Sequence, residues 1–260
     1  MTTLHSGLGR PWRVVERNAH VVRQSWITQI ASLAEPFLFL FSIGVGVGAL
    51  VSGVEGPDGA LVPYRTFVAP ALLASAAMNT AVFSAAIDFF AKFKWIQTYD
   101  AMLATPITTG DVLHGELLWV LARIAVNSAA FIVTMAALGL LESPWAVLLL
   151  PTAVLVAFAF AGAGFLAATH LRSWLDFDLV QLGLIPLFLF SASFFPISQY
   201  PEGLAWVVRL TPLYHGVDLC RDLALGAVDW TALVSVAYLT VMGFATMRAA
   251  DRRLTIMLQP

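Results

Sequence analysis

A charge inside hydrocarbon needs a partner or a path to water, so ionisable residues in apolar runs are the first candidates for chemistry. Arg123 and Asn127 stand one helical turn apart within the run 117–141, and Glu35 opens another run just before Pro36. Arg123 either finds a structural partner, reaches the nearby surface along its own stem, or lines a path for a solute. Asp88, Asp176 and Asp178 fall at the ends of apolar runs, where solvation or helix capping is the default, so no carboxylate pair reads as an acid–base dyad. His5, His20, His114, His170 and His215 show no metal-ligand spacing, and no H-E-x-x-H occurs, so no metal is expected. The single cysteine, Cys220, excludes an internal disulfide and a cysteine-based metal cluster. The stretch "GVGVG" (44–48) lies in mid-run without the spacing of a dinucleotide fingerprint, and no Gly-Lys-Ser/Thr follows anywhere. Small residues that let helices approach explain it better. The chain is therefore expected to catalyse nothing and to bind no nucleotide through a phosphate loop of its own.

The elements that carry these residues are membrane elements. Of 260 residues, 59% are apolar and 12% charged, and mean hydropathy is +0.82. A soluble domain carries roughly twice that charged fraction. Apolar runs long enough to cross about 30 Å of hydrocarbon recur along the chain. The expected fold is all-α and polytopic, one domain over 1–260, with six transmembrane helices near 33–51, 67–87, 117–141, 146–168, 179–195 and 230–247. Residues 10–30 place Trp12, Val15, Ala19, Val22 and Trp26 at helical spacing, with Arg10, Arg13, Arg17 and Arg23 mostly off that stripe. This reads as an N-terminal interfacial helix with its apolar side toward lipid; the alternative is the cytoplasmic end of a long first span. These first residues do not read as a cleavable signal peptide.

Lys and Arg set the orientation. One side holds Arg10, Arg13, Arg17, Arg23, Lys92, Lys94, Arg172, Arg248, Arg252 and Arg253; the other holds Arg65, Arg209 and Arg221. Both termini are expected in the cytoplasm.

Two connections are too elaborate to be linkers. The inner loop 88–116 presents Phe90, Phe93 and the segment around Tyr99 with Lys92 and Lys94, then turns at "ATPITTGD", where Thr109 or Asp111 can cap the following helix. A short helix offered to the cytosol suits docking of a partner protein; the alternative is a folded loop with no partner. The outer segment 194–229 holds Pro196, Pro201 and Pro212 around the short amphipathic "PEGLAWVVRL", with Trp206 as an interfacial anchor. It reads either as a re-entrant helical hairpin dipping into the outer leaflet or as an ordinary outer loop with surface helices.

The order of "EPFLFLFSIGVGVG", "TYDAMLATPITTGDVLHGELL" and "FLFSASFFPISQYPEGLAWVVRLTPLYHGVDLCRDLALG" resembles type-2 ATP-binding-cassette (ABC) export permeases, most closely the nodulation-factor and daunorubicin-resistance group. The resemblance spans nearly the whole chain. It implies a transport subunit whose membrane partner is a second permease copy or paralogue, served by two separate ATPase subunits that carry ATP and Mg. By position, the ATPase-coupling helix would cover about 92–105, with Lys92, Lys94, Tyr99, Asp100, Thr105 and Pro106 at the contact. Gln97 and Thr98 depart from the Arg-Gly-Thr of many relatives. The outer gate would involve Phe194, Phe195, Pro196, Pro201 and Trp206. Spans two and five would line the path with Met78, Asn79, Phe83, Phe188, Phe190 and Phe194, suited to an amphipathic drug, lipid or lipid-linked glycan; each of these aromatics also reads as ordinary packing. Two other classes compete: an ATP-independent carrier or channel, and a lipid-modifying enzyme, for which the spans supply few convergent polar groups. Nothing points to nucleic acid.

Overall fold

A computed structural model describes residues 9–24, 34, 37–51, 53–57, 59–95, 99, 102, 106–173 and 175–258. Glu35, Trp26, Asp100 and Thr105, named above, lie outside the described residues.

The chain is mostly helical. Helix α1 is Gly9–Gln24. A helical stretch over 37–47, α2, ends in a wide π turn at Ser42–Val47. Strands β1 (Val54–Glu55) and β2 (Leu61–Val62) pair antiparallel in a small hairpin, Val54 opposite Val62. Helix α3 runs Tyr64–Val82 and continues through π turns at Phe83–Asp88 and Ala91–Trp95. Helix α4 is Thr109–Ala137, and α5 is Leu149–Ala168 behind a 3-10 turn at Pro144–Leu148. Helices α6 (Asp176–Leu189), α7 (Glu202–Leu210), α8 (Pro212–Leu225) and α9 (Trp230–Leu258) complete the order.

Four helices among the described residues are long and apolar enough to cross a membrane: Tyr64–Lys94, Thr109–Ala137, Pro144–Ala168 and Trp230–Met257. The fifth expected span forms only the 14 residues of α6, about 21 Å of helix, which is shorter than a bilayer core.

Local chemistry sets the ends. Thr108, not Thr109, caps α4: its side chain accepts from the Asp111 amide while Asp111 accepts from the Thr108 amide at 2.9 Å, a reciprocal capping box. Asp176, the first residue of α6, fixes the turn before the helix by accepting from the amides of Arg172 and Ser173 at 2.6 and 3.0 Å. Ser143 and Pro144 start the helical run of α5, and Gly226 closes α8 at φ 89.

Helix α3 is the hub. It is the most enclosed of the four long helices and packs on α4, α5 and α8, while α9 packs along α5. The α5–α9 seam is close because Gly243 leaves room for the Phe158 ring and Gly162 for the Thr246 hydroxyl; a Cβ at either would collide. The "GVGVG" glycines divide in their roles. Gly44 is buried against Arg65 of α3, a Cβ at Gly48 would strike the carbonyl of Gly44, and Gly46 faces open space.

The described residues of the stripe expected on α1 divide: Trp12 and Ala19 are exposed, whereas Val15 is buried. The face packed on α4 holds Val14, against Gly115.

Candidate substrate cavity and coupling network

A cavity of about 520 Å³ opens between α3, α4 and α6, with Phe39 of α2 on its wall. Asn79, Thr80, Phe83 and Ser75 line it from α3, Gln181, Leu184, Ile185 and Phe188 from α6, and Arg123 from α4. Aromatic and aliphatic walls thus meet a few amide and hydroxyl groups, a composition that suits an amphipathic solute. Of the residues expected to line a path, Asn79, Phe83 and Phe188 meet here. Met78 does not: it is fully buried in the core. Phe190 is 43% exposed and stands off the cavity. Phe194 connects indirectly, its ring edge-on to Phe188 at 5.1 Å, and Phe39 meets Phe188 from the other side at 6.4 Å.

Arg123 takes its partners from α3, not from Asn127. It forms an ion pair with Asp88 at 3.6 Å and donates to the Ser84 hydroxyl. Asp88 thus pairs with Arg123 while its own side chain stays 51% exposed, in keeping with the solvated role expected of it. A carboxylate beside Arg123 offsets most of its charge, so the cavity presents a nearly neutral polar corner.

A second cluster joins three elements at the far end of α3. Lys92 Nζ donates to both carboxylate oxygens of Glu116, at 2.7 and 2.9 Å, and to Asn18 Oδ1 at 3.2 Å. Asn18 Nδ2 donates to Glu116 Oε2 at 3.1 Å. The Glu116 side chain is only 4% exposed. Tyr99, also buried, packs on Phe89 at 5.1 Å, and burial first, then Glu116, pushes its hydroxyl well above the usual tyrosine value. Helix α1, the loop after α3 and the first turns of α4 are therefore tied through one buried polar knot. Lys92 and Tyr99, expected at a partner contact, turn inward; Lys94 and Pro106 are exposed. Glu116 and Asn18 escaped the sequence reading. The signal was there in Glu116: a carboxylate between Leu113 and Leu117 of an apolar helix requires a cation.

At the other end, α6 stops at Leu189 and the chain turns through Ser191–Ser193, whose two hydroxyls share a hydrogen bond of 2.7 Å. The segment beyond is tethered at two points: the Tyr64 hydroxyl donates to the Phe194 carbonyl at 3.4 Å, and Ser198 Oγ to Glu55 of β1 at 3.2 Å. Pro196 is buried, whereas Phe195, Pro201 and Trp206 are exposed, Arg209 lying over the Trp206 ring at 5.7 Å.

Among the described residues no group of three or more His, Cys, Asp or Glu side chains is placed to hold a metal. The sequence profile of the family described as "ABC-2 type transporter" matches residues 12–225. The chain is similar to nodulation protein J of Rhizobium leguminosarum bv. trifolii, 32% identical over 220 residues that cover 83% of this chain and 81% of that protein. The nodulation protein J of Sinorhizobium fredii (strain NBRC 101917 / NGR234) is likewise 32% identical, with 83% and 82% covered. That of Bradyrhizobium diazoefficiens is 29% identical over 250 residues, 94% of each chain. The chain belongs to the ABC-2 type transporter family.

Proposed function

We propose that this chain is the membrane permease subunit of an ABC exporter, moving an amphipathic drug, lipid or lipid-linked glycan out of the cell. Two copies, or this chain and a paralogue, pair in the bacterial inner membrane with both termini in the cytoplasm, and two ATPase subunits supply ATP hydrolysis. In this reading each permease contributes six spans, α2 and α6 being parts of the first and fifth, and α1 lies at the inner interface. The outer segment 194–229 forms a re-entrant hairpin over the exit.

The observation that carries the reading is the cavity between α3 and α6. It joins apolar and amide-bearing walls between the helices, and Phe188 on its wall meets Phe194 at the break after α6. At the other end of α3, exposed Lys94 and Pro106 offer a contact for the ATPase, and the Lys92–Glu116–Asn18 knot links that contact to α1 and α4. ATP-driven closure of the ATPases would then tilt α3 and α4 together and change the width of the cavity, which is alternating access in structural terms.

The test uses inside-out vesicles holding the chain with its ATPase, and a fluorescent phospholipid or a rhodamine dye as probe. Uptake should require ATP and fall several-fold in Asn79→Ala and Phe188→Ala. Uptake by vesicles that hold the chain alone, without ATP, would favour the carrier or channel reading instead.

A further inference from the structure

Arg221 is the most enclosed cation of the described residues, at 5% exposure, and neither the cavity nor the coupling network uses it. Burial lowers its pKa to about 10, with Asp218 and Asp222 opposing that shift, so it stays charged at neutral pH. Its guanidinium stacks on Phe67 at 3.8 Å from the ring centroid. Nε donates to the Phe67 carbonyl at 3.3 Å, and Nη2 donates to the Ala192 carbonyl at 2.8 Å. Three elements distant in sequence, α3, α8 and the break after α6, therefore meet on one side chain.

The Ala192 contact is the informative one. Ala192 stands at φ 56, the single non-glycine residue of positive φ among those described. A residue with a Cβ persists there only where its surroundings over-determine the conformation. Its carbonyl is held by a charged donor aimed at it from α8, and its amide donates to the Tyr200 hydroxyl. The turn at Ala192 sets the direction in which Phe194 leaves α6, toward the ring of Phe188 and the hydroxyl of Tyr64, and places Ser198 against Glu55.

We propose that Arg221 is the positioning residue of the outer segment: by holding the Ala192 carbonyl it keeps the left-handed turn that brings Phe194 to Phe188, on the cavity wall, and Ser198 to Glu55. Lysine cannot replace it, because a single ammonium cannot serve two carbonyls while stacking on an aromatic face. Calling this segment a gate rests on the function proposed above; its placement by Arg221 does not.

The experiment reads placement alone. Glu55→Cys and Ser198→Cys are introduced together in a Cys220→Ala background of the full chain in membranes, and the rate of oxidant-driven disulfide formation is followed by loss of maleimide-reactive thiol. Arg221→Gln and Arg221→Lys should each slow crosslinking by about ten-fold, the ratio set by the left-handed penalty on an L residue. Adding Ala192→Gly to Arg221→Gln should restore most of the rate, since glycine adopts positive φ without that penalty. A variant that had merely lost packing would not be repaired by removing a methyl group. Ala192→Val with Arg221 intact should reproduce the loss, which keeps the test open if Arg221→Gln does not fold. An unchanged rate in Arg221→Gln or in Ala192→Val overturns the proposal, as does a loss in folded Arg221→Gln that glycine does not repair. ATP-dependent probe uptake in the same variants reports separately on the gate: lost crosslinking with normal uptake would leave the positioning role and remove the gating one.

Discussion

The knot formed by Lys92, Glu116 and Asn18 makes a quantitative prediction. Lys92→Met removes both hydrogen bonds to the carboxylate and leaves Glu116, 4% exposed, with Asn18 as its remaining close donor. Removing one partner of a buried pair costs ~3–5 kcal/mol because the other charge stays desolvated. Lys92 is itself 18% exposed, so water can enter the space it vacates, and about 2–3 kcal/mol is the better expectation. Glu116→Gln should cost less, about 1–2 kcal/mol, because the freed ammonium can swing toward solvent. The double variant should lie near the milder single one, since it buries no charge, giving a coupling energy of about 2 kcal/mol. The assay is unfolding in mixed micelles by titration with a denaturing detergent, followed by tryptophan fluorescence, for the parent, both singles and the double. Limited proteolysis should show α1 released first in Lys92→Met, because the knot holds α1 to α4. If Lys92→Met lies within about 0.5 kcal/mol of the parent, or if the two single costs simply add, the knot is not coupled and the linkage argued from it fails.

Two further outcomes follow from packing and charge. Gly243→Val drives a side chain into the Phe158 ring at the α5–α9 seam and should cost about 1–3 kcal/mol, lowering the thermal midpoint in detergent, with partial relief from added Phe158→Ala. Burial, then the like charges of Asp218 and Asp229, raise Asp222 to about 7 against the pull of Arg221. The folded state therefore holds this proton more tightly than the unfolded one, so the contribution is full below about pH 4, is lost as pH rises to about 7, and is flat above. Asp222→Asn should remove that fall and exceed the parent above pH 7 by at most about 3–4 kcal/mol, read from thermal midpoints across pH 4–8; a parallel pair of curves would refute it.

Period and composition carried the four long apolar helices, whereas the break expected at Pro196 falls earlier, where α6 ends at Leu189. Side-chain partnerships across elements were less legible. Asp88 and Arg123 are far apart in sequence, and nothing in either run says that α3 and α4 bring them within 3.6 Å. The turn at Ala192 is hidden for a stronger reason: alanine is not a residue that announces positive φ, and its support comes from Arg221, 29 positions later. The β-hairpin over 54–62 was also unread, since two-residue strands carry no alternation. The glycines of 44–48 and the stripe on α1 were legible as patterns, whereas the seating of Gly44 on Arg65 and of Val14 on Gly115 was not. Spacing defines a face, and only the packed chain decides what covers it.

The central claim is that this chain transports only when a separate ATPase drives it through the surface holding Lys94 and Pro106. The direct measurement is ATP hydrolysis in nanodiscs containing the chain, a co-expressed ABC ATPase subunit, or both. The account predicts a stable complex, hydrolysis by the ATPase that rises several-fold only when the chain is present, and loss of that rise in Lys94→Glu and Pro106→Gly at unchanged stability of the permease. A complex that fails to form, or hydrolysis indifferent to the chain and to both substitutions, would contradict it.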